Sequence, residues 1–179
     1  MANQEHVEIV RRGWAAIARW REENPGTILD LRGAYLRGVN LGDSDLHDSD
    51  LRGSVIRGAY LQGARLDGAN LRCAMLPDYQ ICPEEGAFVC YKKLSGGVVA
   101  TLLVPDGARR CCNLVSRNIR VERVRVLDGE GYSPMCFHHQ KLHYAPGDEV
   151  VAHAFNDDIR IDCAPGIHVF ITRKEAEKC

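Results

Sequence analysis

The sequence predicts a mainly β protein in two parts: a helix-led solenoid of five-residue units, then a small β-rich α+β domain. Three observations predict it. Leu or Ile recurs at every fifth position from Leu31 to Leu76, an amphipathic helical segment stands before that run, and β-branched runs bounded by Gly, Pro and Asp take over near residue 88. The expected divisions are a capping helix over 1–27, repeats over 28–77, a linker or cap over 78–87 and the β-rich domain over 88–179.

In the first segment, EHVEIVRRGWAAIARWREENPG, Val7, Val10, Trp14 and Ile17 fall on one helical stripe with Trp20 near its edge. Asn24-Pro25-Gly26 then ends the helix. A solenoid exposes unpaired backbone at its open ends, so a cap accounts for the buried stripe and both tryptophans.

The repeat residues are Leu31, Leu36, Leu41, Leu46, Leu51, Ile56, Leu61, Leu66, Leu71 and Leu76. A helix would smear a five-residue beat around its axis, and a strand would send it to alternate faces. One buried row results only if the chain turns a corner in every unit. Small residues stand two positions before the beat, among them Ala34, Ser44, Ser49, Ser54 and Ala64. Gly33, Gly38, Gly53, Gly58, Gly63 and Gly68 stand two positions after it, where a corner suits them.

These A-(D/N)-L-x-x units resemble the pentapeptide-repeat family. The resemblance implies a right-handed quadrilateral β-helix with four units per coil. Leu31, Leu51 and Leu71 then align inside, and Arg32, Arg52 and Arg72 outside. Asp30, Asp50 and Asn70 share that outer face and neutralise much of the arginine column. Some members of that family imitate duplex DNA with a long acidic rod; residues 28–76 hold six Asp and six Arg, which argues against mimicry. The leader pattern Trp14-x(5)-Trp20-Arg21-x-x-Asn24-Pro25 is similar to the segment often found before such repeats.

After residue 88 the runs FVCYKKL, VVATLLV, IRVERVRVL, EVVAHAF and GIHVFIT read as strands. IRVERVRVL alternates with a slip at Glu122-Arg123, where a β-bulge is expected. Thr172 is the expected N-cap of a final helix. Tyr91-Lys92-Lys93, Leu103-Val104-Pro105 and the ending Cys163-Ala-Pro-Gly166-Ile167-His168 through Ala176 resemble an uncharacterised domain that follows pentapeptide repeats in phage and bacterial proteins. That resemblance implies an architecture and no established activity.

Net charge is −1 at pH 7, which argues against whole-protein attraction to nucleic acid or an anionic membrane. The absence of a long apolar run and of a basic-then-apolar leader makes a soluble cytoplasmic protein the expectation. The eight cysteines form no CxxC pair and are expected to be thiols rather than a disulfide framework.

Two chemistries are drawn by the second half. Cys136-x-His138-His139-x(3)-His143 has donor types and spacing that suit zinc, with Cys111, Cys112, Cys163 or His168 to complete the set; an exposed histidine loop explains the same letters. Arg109 and Arg110 open an arginine-rich stretch reaching Arg125, and guanidinium forks suit phosphate or carboxylate. With His138, His139, His143, His168 and Arg173 they are the expected contacts of a small anionic, nucleotide-like ligand. The competing reading lays the arginines along the outer face of a strand.

No nucleotide fingerprint, nucleophile elbow or zinc-protease motif occurs. The expected function is therefore a non-enzymatic binding or interaction protein. The resemblance adds phage origin and modulation of a bacterial host, through a sequestered ligand or host protein. An open repeat end invites a homo-oligomer. The alternative is a metal- or cysteine-dependent enzyme using Cys136, His138, His139, His143, Cys163 and His168.

Overall fold

The computed structural model describes residues 1–134 and 141–179. The chain divides into two compact units, Met1–Tyr79 with Leu114–Ser116, and Gln80–Asn113 with Arg117–Cys179. Among the described residues it is mainly β with three helices, and no helix is long and apolar enough to cross a membrane.

The first unit opens with α1 (Gln4–Arg11), capped by Asn3, whose side chain accepts from the Glu5 N–H at 3.0 Å. Gly13, at φ +87°, stops it, and α2 (Trp14–Glu23) restarts in a new phase. This corrects the single-stripe reading. Val7, Val10, Ile17 and Trp20 are buried, but Trp14 is 59% exposed because the left-handed turn at Gly13 breaks the 3.6-residue period. The helices bond to the repeat backbone. His6 Nδ1 accepts from the Asp30 N–H (2.9 Å), Arg11 Nη2 donates to the Tyr35 carbonyl (3.0 Å) and Arg21 Nη2 to that of His47 (2.6 Å).

Within the repeats, residues twenty apart pair in parallel: Asp30 with Asp50 and then Asn70, Tyr35 with Val55 and then Met75, Asn40 with Tyr60, Asp45 with Arg65. The Leu31 N–H donates to the Asp50 carbonyl and the Asp50 N–H to that of Leu29, both at 2.9 Å. Turns separate these single-residue bridges, and no closed solenoid is seen among the described residues. Every beat residue from Leu31 to Leu66 is buried, while Leu71 and Leu76 are half-buried. Ser44, Ser49 and Ser54 are fully buried beside them.

The corner position takes positive φ from Gly33 to Cys73, including at Asp43 (55°), Asp48 (53°) and Cys73 (59°), where glycine is replaced. Asp43 and Asp48 lie against the glycines one register further on. A Cβ at Gly63 would stand 2.2 Å from Asp43 Oδ1, and one at Gly68 only 1.8 Å from Asp48 Oδ1. Outside, Arg32 forks onto Asp30 (2.8 and 2.8 Å) and Arg52 onto Asp50 (2.8 and 2.6 Å). The Arg32 hydrogen bond holds the Asp30 carboxyl down at about 2. The first two arginines of the outer column are thus charge-paired.

The second unit holds β1 (Phe88–Lys93), β2 (Val99–Val104), β3 (Arg110–Cys112), β4 (Ile119–Val121), β5 (Arg123–Asp128), β6 (Gly131–Tyr132), β7 (His143–Tyr144), β8 (Glu149–Val151), β9 (Ile167–Val169) and α3 (Arg173–Lys178). They form antiparallel sheets ordered β1-β2-β5-β8, β3-β4-β9 and β6-β7. Thr172 caps α3 in a capping box with Glu175. Phe88, Cys90, Leu102, Val104, Val124, Val126 and Val150 are buried across the four-stranded sheet.

Two expectations for IRVERVRVL are corrected. Its slip is a corner at which β4 and β5 join different sheets, not a bulge within one strand. Arg120 does not cover an outer face: all three residues of β4 are buried, and Arg120 is 0% exposed. Its guanidinium instead donates to the carbonyls of Asp158 (2.6 Å), Ile161 and Asp162 (3.3 Å) and to Cys111 Sγ (3.3 Å).

Candidate functional site

In β1, residues 88, 90 and 92 share a face by the two-residue period, so the Lys92 stem continues the row of buried Phe88 and Cys90 to its edge. Tyr144 on β7 and Ile167 and His168 on β9 reach the same place. With Ser133, Leu142 and Gly166 they line a cavity of about 170 Å³. Apolar walls come from Leu142, Ile167 and the Tyr144 ring.

The polar groups of this cavity are unevenly satisfied. Lys92 Nζ donates to the His168 carbonyl at 3.1 Å, and His168 Nε2 stands 2.8 Å from the Ala164 carbonyl. A carbonyl only accepts, so that ring nitrogen carries a proton. Tyr144 is 0% exposed and its hydroxyl has no hydrogen-bond partner among the described residues. Burial, with Cys90 nearby, pushes its phenol above the ordinary range and keeps it a neutral donor. A buried hydroxyl without a partner costs about 1–3 kcal/mol. Among the described lining residues, Lys92 is the one permanently charged side chain. The arrangement suits a small apolar body bearing one anionic or accepting group.

Arg109 and Arg110 lie in a different cleft of the same unit, of about 370 Å³, with Glu84, Glu85, Asp106, Phe155 and Asp157. Arg110 donates to the carbonyls of Gly86 (2.8 Å), Pro83, Pro105 and Ala108 (each 3.2 Å), and its Cζ lies 5.1 Å from the centre of the Phe88 ring. Arg109 pairs with Glu122 at 3.0 Å and covers Phe155 at 4.8 Å. Both guanidinium groups thus clamp neighbouring chain, and four carboxylates share the cleft.

Of the remaining sequence-read contacts, His143 is exposed with its ring 4.8 Å from that of Tyr132, and Arg173 lies 3.4 Å from Glu177. His138 and His139, with Cys136, lie outside the described residues. Among the described residues no group of three His, Cys, Asp or Glu comes together to hold a metal. The structure therefore joins Arg109 to Arg110 and sets His168 in the other cavity. Lys92, Ser133, Leu142 and Tyr144 escaped the sequence reading, since strand pairing alone brings such distant positions together.

A sequence profile described as a family of unknown function (DUF5758) matches residues 78–176, and one for pentapeptide repeats (8 copies) matches residues 30–68 and 49–77. No curated protein and no solved structure matches the chain.

Proposed function

We propose, for a chain that belongs to the family of unknown function DUF5758 and carries pentapeptide repeats, that it is a non-enzymatic binding protein whose second unit takes a small organic anion. The buried Tyr144 hydroxyl, without a partner among the described residues and borne by a residue that lines the cavity with Lys92, carries the reading. An apolar cavity of about 150 Å³ accommodates benzene. At about 170 Å³ this one favours a ligand smaller than a nucleotide, such as an aromatic or short-chain monocarboxylate. Its carboxylate accepts from Tyr144 and faces Lys92, while its hydrocarbon part lies against Leu142 and Ile167. The repeats serve as a rigid platform, coiled as a right-handed quadrilateral β-helix with α1 and α2 as its cap. Pairing at twenty-residue intervals and the helix-to-backbone bonds support that arrangement.

Calorimetric titration of the full chain with benzoate and hexanoate, against benzamide and hexanol, tests the reading. The carboxylates bind and the neutral analogues bind at least tenfold more weakly; Lys92→Met removes that preference. In ligand-free protein Tyr144→Phe raises stability by about 1 kcal/mol, because the orphaned hydroxyl is gone. Equal retention of acids and amides, or a loss of stability in Tyr144→Phe, overturns it.

A further inference from the structure

Cys82 lies in the irregular segment before β1, and Cys112 ends β3. Their Sγ atoms are 3.4 Å apart, both side chains are buried, and neither is disulfide-bonded. A disulfide bond is about 2.0 Å long, so roughly 1.4 Å of approach separates the observed pair from a covalent one. Cys82, outside regular structure, has the freer backbone for that approach. The adjacent Cys111 is committed elsewhere. Its Sγ lies 3.3 Å from the carbonyls of Cys112 and Asp157 and accepts from the buried Arg120 guanidinium.

We propose that Cys82 and Cys112 form a dithiol–disulfide couple oxidised by a small hydroperoxide. The Cys112 sulfur attacks a peroxide oxygen, the O–O bond breaks, and hydroxide leaves to be protonated to water. Cys112 is then a sulfenic acid. The Cys82 sulfur attacks Cys112 Sγ, the S–O bond breaks, and the departing hydroxide takes the Cys82 proton as a second water. Two thiols lose two electrons, which reduce one hydrogen peroxide to two waters. Burial selects the oxidant class: hydrogen peroxide can reach a sulfur with little exposed surface, while a bulky disulfide cannot dock on it.

The order of events follows from what surrounds each sulfur. Cys112 is lowered from the ordinary thiol range first by its pairing with Cys82, then by the backbone N–H groups of Ile81 and Cys82 and the charge of Arg117. Cys82 is raised by the same pairing and by burial, despite the charge of Arg110. With the backbone N–H groups of Ile81 and Cys82 and the charge of Arg117 around its sulfur, Cys112 is the attacking thiolate and Cys82 the resolving thiol.

The test uses the full chain with Cys73, Cys136, Cys163 and Cys179 replaced by Ser, alongside the unsubstituted chain. Each is exposed to hydrogen peroxide, alkylated under denaturing conditions and mapped by mass spectrometry. The expected product has lost about 2 Da, carries no added oxygen, links the peptides of Cys82 and Cys112, and reverts with dithiothreitol. With Cys82→Ser, Cys112 retains oxygen and is trapped by dimedone; with Cys112→Ser, Cys82 stays unreacted. Alkylation of both thiols intact, under peroxide that oxidises Cys163 in the unsubstituted chain, overturns the proposal. So does a Cys111–Cys112 link in place of the expected one.

Discussion

Gly58 and Gly68 occupy the same corner of the repeat at nearly the same φ, 69° and 72°. Their surroundings differ. Nothing lies within 4 Å of a Cβ built at Gly58, whereas one at Gly68 would meet Asp48 Oδ1 at 1.8 Å and its Cγ at 3.0 Å. Gly58→Ala therefore carries the left-handed backbone cost alone, about 1–2 kcal/mol. Gly68→Ala carries that cost and must also push the Asp48 carboxylate from its rotamer, adding about 0.5–1.5 kcal/mol. Urea denaturation at constant m reads both as shifts in midpoint. A cycle with Asp48→Gly isolates the steric part, since Gly68→Ala in that background should cost no more than Gly58→Ala. Equal costs for the two alanines, or a cost at residue 68 unchanged by Asp48→Gly, would refute the packing argument.

Two further outcomes follow from charged groups. The Asp30 carboxyl, held at about 2 by the Arg32 fork, lies below its unfolded value. Its stabilisation is complete above about pH 3.9 and disappears as the pH falls through 2. In Arg32→Gln the Asp30 midpoint, followed by carbon-detected NMR, should rise towards 3.9, with little change in stability at neutral pH because the pair is exposed. Arg120→Met strips the donors from the Asp158, Ile161 and Asp162 carbonyls. It should cost about 2–4 kcal/mol and speed amide exchange across 156–162; a neutral effect would mean that water replaces the guanidinium.

The repeat was legible because its period admits few geometries. A beat of five has one buried side only when a turn recurs in each unit, and Leu46, Leu51 and Ile56 are indeed withdrawn from water. Corner glycines were legible for the same reason, although Asp43 and Asp48 show that aspartate adopts the conformation too. Trp14 was misplaced because a single glycine resets helical phase without changing composition. Arg120 was misplaced because alternation reports one wetted face, and a three-residue strand packed on both sides has none. The Tyr144 cavity and the Cys82–Cys112 pair had no local signal. Each joins residues brought together only by long-range pairing or an irregular segment, and a hydroxyl's lack of a partner is visible only in three dimensions.

The twenty-residue spacing also governs how such a chain can change length. Duplicating or excising twenty residues would return every side chain to its own column, carboxylate or amide at Asp30, Asp50 and Asn70 and apolar above apolar at Tyr35, Val55 and Met75. An insertion of five between Leu36 and Asp45 would keep the leucine beat yet shift every downstream residue by one unit, setting Asp50 rather than Val55 against Tyr35. Indels in this segment are thus sorted into two kinds, those that lengthen the scaffold invisibly and those that rewrite its surface while sparing its interior.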